Sequence, residues 1–278
     1  CFDFEGHRMI HILSYLSSVK SYVEQSPRLW NAAWRLMHKT DLLLPHDPTY
    51  HALKHLVQTS AGTILDIGAN QGISALSFRK MCPAHKIISF EPNLSLSENL
   101  RKIEDRIENF EYHLIGLGDE EGEFTLYTPW YGKIALHTFS SFDEENVKSA
   151  INLTYKPNIR SKINIIPTQC RIRKLDDFDL SPEVIKIDAE GLEDRIFRGG
   201  ENTLKKYYPS IIFEACHGTI REATRLLTDY GYLILSYSVK NDCFSDFSEQ
   251  ESVKYVSGLR NLIAVSEEKY ADIPIMKQ

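Results

Sequence analysis

The sequence predicts an α/β fold, a largely apolar sheet with helices on both faces, preceded by a helical segment. Three observations carry this prediction. From Thr63 onward, short apolar runs alternate with helix-length stretches. The runs are mostly apolar rather than strictly alternating, which marks strands covered on both sides. No internal repeat or low-complexity linker divides the 278 residues, so they read as one domain with an N-terminal annex.

The elements follow in order. Residues 7–39 carry apolar residues at three- and four-residue spacing, through Ile10, Leu13, Leu16 and Val19, then Leu29, Ala33 and Leu36. Asp47-Pro48 supplies an N-cap and a first-turn proline for "PTYHALKHLVQ". These helices form an extension over 1–58, read as a lid or packing element, with dimerisation or substrate capping as the alternative. The domain proper spans 59–278. There "TILDIG", "KIISFEP" and "FEYHLIGLGD" are strands, separated by the helices "ISALSFRKM" and "NLSLSENLRKIEDRI". "GEFTLYTP" and "KIALHTF" form a hairpin, "DEENVKSAINL" a short helix, and "INIIPTQCRIRKL" an extended run. "EVIKIDAEG" is a strand and "LEDRIFRGGENTLKKYY" a helix. "SIIFEAC" is the next strand, and "TIREATRLLTDYG" is a helix ended by Gly231. "YLILSYS" and "NLIAVSE" are the last strands.

Composition narrows the function. A net charge of −6 argues against nucleic acid as the main partner, since phosphate binding shows as a basic face. No apolar run approaches a membrane span, and the first 20 residues mix charge too evenly for a signal peptide. The five cysteines, at 1, 82, 170, 216 and 243, form no CxxC pair and are odd in number. This speaks against zinc and a disulfide framework and for a reducing cytoplasm. The opening on Cys1 suits a fragment or a processed chain.

The stretch "TILDIGANQG" bears the first chemistry. A strand ending in an acid, then a glycine turn into a helix, aims backbone N–H groups at a ligand. A dinucleotide loop wants glycine in the middle position, where this chain has Asn70 between Gly68 and Gly72. Asp66, two residues before the first glycine, would repel a pyrophosphate. It suits a ligand with a positive or donor-rich group, such as S-adenosylmethionine (SAM), with its ammonium and sulfonium. The bland alternative is that Asp66 caps the turn.

Glu91 in "SFEPN" ends the next strand 25 residues after Asp66, where doubly wound folds hold ribose hydroxyls. Asp119 in "GLGDEEG" reads equally as an adenine-edge contact or a plain turn residue. Asp188 and Glu190 sit two apart at a strand's carboxyl end, the zone where open α/β sheets bind ligands. "FEACH" brings Glu214 and His217 to that zone from the next strand. Glu193 reads as a helix-start charge and Lys186 as a structural ion-pair partner.

With "ILDIGANQG", "SFEPN", "IKIDAEGLED" and "IIFEACH" in this order, the chain resembles the FkbM family of SAM-dependent methyltransferases from Thr63 to Glu214. The resemblance implies a class I methyltransferase fold. That fold is Rossmann-like, with a seven-stranded, mainly parallel sheet and an antiparallel strand near the C-terminal edge. It also implies O-methylation of a hydroxyl on a sugar or polyketide-like molecule. Asp66, Gly68, Asn70 and Gly72 would form the SAM loop, Glu91 would hold the ribose, and Asp188 and Glu190 would face the transferring methyl. An aliphatic hydroxyl needs a base or a metal to take or weaken its proton. Asp188 is the first candidate base and His217 the second. A magnesium-like ion on Asp188, Glu190 and Glu214 is the alternative. Tyr127, Trp130, Tyr131 and Phe139 offer faces for an acceptor, or simply pack a hairpin. Two rivals remain, a NAD(P)-dependent oxidoreductase and a catalytically silent SAM-fold module. A homo-oligomer is compatible with the sequence.

Overall fold

The computed structural model describes residues 26–29, 31–32, 45, 47–189, 191–215, 219–247 and 261–276. The helical reading of 7–39 falls outside them, apart from 27–29 and 31–32, which are helical. The chain divides into two compact units, Leu42–Phe124 with Gln169–Gln278, and Cys1–Asp41 with Thr125–Thr168.

Twelve strands are described. They are β1 (Thr63–Ile67), β2 (Lys86–Phe90), β3 (Phe110–His113), β4 (Gly116–Leu117), β5 (Gly122–Tyr131) and β6 (Ile134–Ala135), then β7 (Ile163–Arg173), β8 (Val184–Ile187), β9 (Ser210–Glu214), β10 (Tyr232–Ser238), β11 (Cys243–Asp246) and β12 (Asn261–Ser266). The helices are α1 (Leu53–Leu56), α2 (Ile73–Met81), α3 (Ser97–Glu104), α4 (Glu144–Thr154), α5 (Pro157–Arg160), α6 (Glu193–Gly199), α7 (Glu201–Tyr207), α8 (Ile220–Asp229) and α9 (Glu267–Asp272).

The larger unit is built on an eight-stranded sheet in the order β11-β10-β12-β9-β8-β1-β2-β3. Parallel pairing joins β3, β2, β1, β8 and β9. β12 runs antiparallel to both β9 and β10, and β11 antiparallel to β10. This is the mainly parallel sheet of the expected class with one more strand than seven. The addition is β11, a short edge strand of sequence CFSD that buries Phe244 alone and so shows no apolar run.

Successive residues of each strand serve opposite cores. Ile64, Ile87, Ile212 and Ile263 face one, with Phe78 of α2 and Tyr50, Leu53 and Leu56 of the lead-in segment. Leu65, Ile67, Ile185, Ile187 and Phe213 face the other, with Ile196, Phe197 and Leu227. The lead-in begins as the sequence suggests, with Asp47 Oδ1 accepting from Thr49 N at 2.7 Å and Pro48 opening the turn.

Two expected elements are broken by close packing. The run "FEYHLIGLGD" splits into β3 and β4, and β4 leaves the large sheet to pair with β7 at Gly116 and Ile172. A Cβ at Gly116 would lie 2.4 Å from Ile172 Cδ1, so glycine permits that approach. The long helix after β8 breaks into α6 and α7 at Gly199-Gly200. A Cβ at Gly199 would meet Gly118 O at 1.9 Å, and one at Gly200 would meet Leu175 Cδ2 at 2.9 Å.

In the smaller unit the predicted hairpin forms, with Trp130 and Tyr131 paired to Ala135 and Ile134. The predicted short helix is α4, capped by Asp143, whose Oδ1 accepts from Glu145 N at 2.8 Å. Val147 and Ile151 of α4 bury against Leu136 and Tyr155, with Tyr127, Tyr131 and Phe139 around them.

Candidate active site

The site begins with a polar row crossing an apolar sheet. Asp66 is in register with Ser89 on one side and Lys186 on the other. All three share the face of Ile64, and Asp66 is fully buried. Ser74 Oγ donates to Asp66 Oδ2 at 2.6 Å, and Ser89 Oγ donates to the same oxygen at 3.2 Å. Lys186 Nζ lies 3.2 Å from Asp66 Oδ1. Asp66 therefore turns into the protein rather than toward solvent.

Beyond Asp66 the chain makes three residues of positive φ in five, Gly68 at 74°, Asn70 at 49° and Gly72 at 80°. Gly68 allows close passage of the neighbouring strand end, since a Cβ there would sit 1.9 Å from Asp188 O. Asn70 Oδ1 is buried and has no hydrogen-bond partner. The loop then enters α2 at Gly72, as the spacing suggests.

Glu91 clamps this loop. Its Oε2 accepts from Asn70 N at 2.8 Å and its Oε1 from Asn93 N at 2.9 Å. Burial pushes its carboxyl up to about 7, against the opposing pull of those amides and of Lys186. The backbone bonds use one direction on each oxygen, and each carboxylate oxygen has a second.

Asp188 follows β8 on the face of Lys186, two residues on, with its side chain 47% exposed. Its Oδ2 is 3.9 Å from Lys186 Nζ. Glu193, read from sequence as a helix-start charge, instead ties down the turn after Asp188. It is fully buried, and accepts from Ala189 N at 3.3 Å, Gly191 N at 3.2 Å and Thr219 Oγ1 at 3.0 Å. Burial raises its carboxyl, with those donors opposing.

Glu214 ends β9. Glu190 and His217 lie outside the described residues. Among the described residues no group of three His, Cys, Asp or Glu is placed to hold a metal ion. Asp119 follows β4, and its Oδ1 accepts from Arg195 Nε at 2.6 Å, so the chain itself supplies its partner.

Lys186 and Tyr50 gained no active role from sequence. Burial would lower the Lys186 ammonium, but Asp66 and Asp188 outweigh it and the group is held above its ordinary range. Tyr50 packs its ring on Phe78 at 4.8 Å. Its phenol is raised by burial first and then by Asp66, Asp47, Asp188 and Glu214, which places it among the site's carboxylates. A lone tyrosine 13 residues before β1 carries no local signal for this.

Within the smaller unit, Trp130 meets the His137 ring edge-on at 6.4 Å. Burial lowers His137 to about 4, so its imidazole is neutral at pH 7.

The family model for the methyltransferase FkbM domain matches residues 66–234. A second model, of the nitrogen regulatory protein areA GATA-like domain, matches 14–39, mostly outside the described residues. Methyltransferase 1 of Beauveria bassiana (strain ARSEF 2860) is 25% identical over 183 residues, 62% of this chain and 72% of that protein. Methyltransferase FkbM from Methylobacillus flagellatus KT aligns with a TM-score of 0.46 and 17% identity, covering 78% of this chain and 47% of that one. This chain thus spans about half the length of that structure. Precorrin-6y C5,15-methyltransferase from Geobacter metallireducens GS-15 aligns with a TM-score of 0.41 and 14% identity, covering 82% and 91%. The family match starts at the buried acid of β1, ends within β10, and takes in more than half of the chain: the protein belongs to the FkbM methyltransferase family.

Proposed function

We propose that the protein transfers the methyl group of SAM to a hydroxyl of a small molecule, a sugar or a polyketide-like metabolite. The observation that carries this is the position of Asp188. It is an exposed carboxylate at the carboxyl end of β8, and its own backbone packs against the first glycine of the cofactor loop.

The residues present fit SAM. Asn70 Oδ1 is a buried acceptor with no partner in the chain, and the cofactor carries several donors. Glu91 retains capacity to accept from ribose hydroxyls beside that loop. Gly68, Asn70 and Gly72 would form the cradle, Asp66 would hold it from behind through Ser74 and Lys186, and Asp119 would bound it at the adenine side. When bound, SAM supplies a methyl group on a positively charged sulfur, open to in-line displacement by a hydroxyl oxygen.

The chain's part is alignment and proton removal. Asp188, with its exposed carboxylate, would orient the acceptor's hydroxyl and take its proton. Glu190 and His217 are the supporting candidates, and a divalent ion on Asp188, Glu190 and Glu214 is the variant of this reading with metal assistance. Free Cys82 and Cys243 suit a reducing compartment such as the cytoplasm. No described helix is long and apolar enough to cross a membrane.

The test is transfer of labelled methyl from SAM to a panel of hydroxylated sugars and polyketide-like compounds, with Asp188→Asn beside the wild type. The expected outcome is O-methylated product, with turnover lost in the variant while SAM binding persists. Label found only on nitrogen or carbon acceptors, or full turnover by Asp188→Asn, would sink the proposal.

A further inference from the structure

Lys186 is the buried cation of the site, only 6% exposed along its side chain. Strand register alone puts it beside Asp66. Its contacts extend further than a simple ion pair. Nζ donates to Gly68 O at 2.8 Å and approaches Ile67 O at 3.4 Å. The same nitrogen is 3.2 Å from Asp66 Oδ1 and 3.9 Å from Asp188 Oδ2. One ammonium thus touches the strand end, the first carbonyl of the cofactor loop and the carboxylate proposed as proton acceptor.

Gly68 gives this contact its importance. Its positive φ and its close packing on Asp188 O leave the β1–α2 turn tightly bounded. Backbone carbonyls at such a turn lack the ladder partners of a strand. The Gly68 carbonyl receives a charged donor instead, and charged hydrogen bonds are about twice as strong as neutral ones. Glu91 holds the same loop from the other side, through Asn70 N. The loop is therefore fixed by a carboxyl group on an amide and a cation on a carbonyl, two residues apart.

We infer that Lys186 is a positioning residue, which sets the cofactor loop through the Gly68 carbonyl and ties that loop to Asp188 through a shared charge. The inference rests on the proposed function for the role of Asp188, but its loop half depends only on SAM binding. A nonpolar side chain of similar length at this position would fill the space and leave the loop carbonyl, Asp66 and Asp188 without their common partner.

Lys186→Met tests this. Calorimetric titration with SAM is expected to show affinity weaker by about tenfold or more, the effect of losing a charged hydrogen bond that orders the loop. Hydrogen exchange without ligand is expected to quicken in both 66–72 and 184–189, and not in α8, whose Ala223, Leu226 and Leu227 pack in the opposite core. If Lys186→Met does not fold, the pair Asp66→Asn with Lys186→Met removes both buried charges and is compared with Asp66→Asn alone. SAM affinity within about twofold of the reference protein, or exchange raised equally across the whole domain, would overturn the inference. Neither measurement needs an acceptor. Loss of SAM binding in the variant alongside wild-type transfer only to nitrogen would keep Lys186 as loop anchor and reject the reading of Asp188.

Discussion

Replacing Asp66 by Asn keeps the shape of the side chain and removes its charge. The structure sets the scale of the loss. At 3.2 Å from Lys186 Nζ, and with an effective dielectric constant of about 20, the attraction is about 5 kcal/mol. Relief of the desolvation of Asp66 offsets part of this, and Lys186 is left buried with only carbonyls and the more distant Asp188. Breaking one side of a buried pair typically costs about 3–5 kcal/mol. The lower end is expected here, about 3 kcal/mol, because the amide oxygen can still accept from Ser74 and Ser89. For a protein of this size that corresponds to a fall in Tm of about 6–12 °C. Urea denaturation of wild type and variant at pH 7.5, read as a shift in midpoint at constant slope, measures it. A loss below about 1 kcal/mol would mean that Lys186 does not rely on Asp66, and the account of the polar row would be wrong. Asp66→Ala, which also removes the serine bonds, is expected to abolish SAM binding. Unchanged SAM affinity there would reject the assignment of the loop.

Two further outcomes follow from other residues. Glu91 has a folded pKa raised from 4.5 to about 7, so its contribution to stability is present below 4.5 and is lost as pH climbs to about 7. Glu91→Gln should therefore gain on the wild type across that window, by on the order of 3 kcal/mol, and a pH-independent difference between their unfolding free energies would contradict it. Gly68→Ala should destabilise by about 2 kcal/mol or more and weaken SAM binding, because the position combines positive φ with a Cβ 1.9 Å from Asp188 O. A stable, SAM-binding Gly68→Ala protein would refute that geometry.

Much of the sheet was legible because its strands are continuous apolar runs. TILDI, KIISF, VIKI, SIIFE and NLIAVS all form strands where their composition places them. The loop after β1 was legible for a different reason, since Gly68, Asn70 and Gly72 are the residues that tolerate positive φ. What stayed hidden depends on neighbours distant in sequence. The break between α6 and α7 is set by Gly118 and Leu175, some 25 to 80 residues away. Glu193 looks like any acid in a first helical turn, until the fold folds its carboxylate back onto Ala189 and Gly191. Lys186 could be read as an ion-pair partner, but its partner, and the loop carbonyl beside it, come from a strand 120 residues earlier.

The row Ser89–Asp66–Lys186 has a consequence for how the strands find one another. Parallel strands of nearly uniform Ile and Leu offer several almost equivalent alignments. A slip of two residues between β1 and β8 would set Asp66 opposite Val184 and strand both charges on an apolar face. That error costs several kcal/mol, more than a misplaced isoleucine would. The polar row thus works as a key cut into the sheet, admitting one alignment of β8, β1 and β2 and rejecting the near misses that hydrophobicity alone would accept.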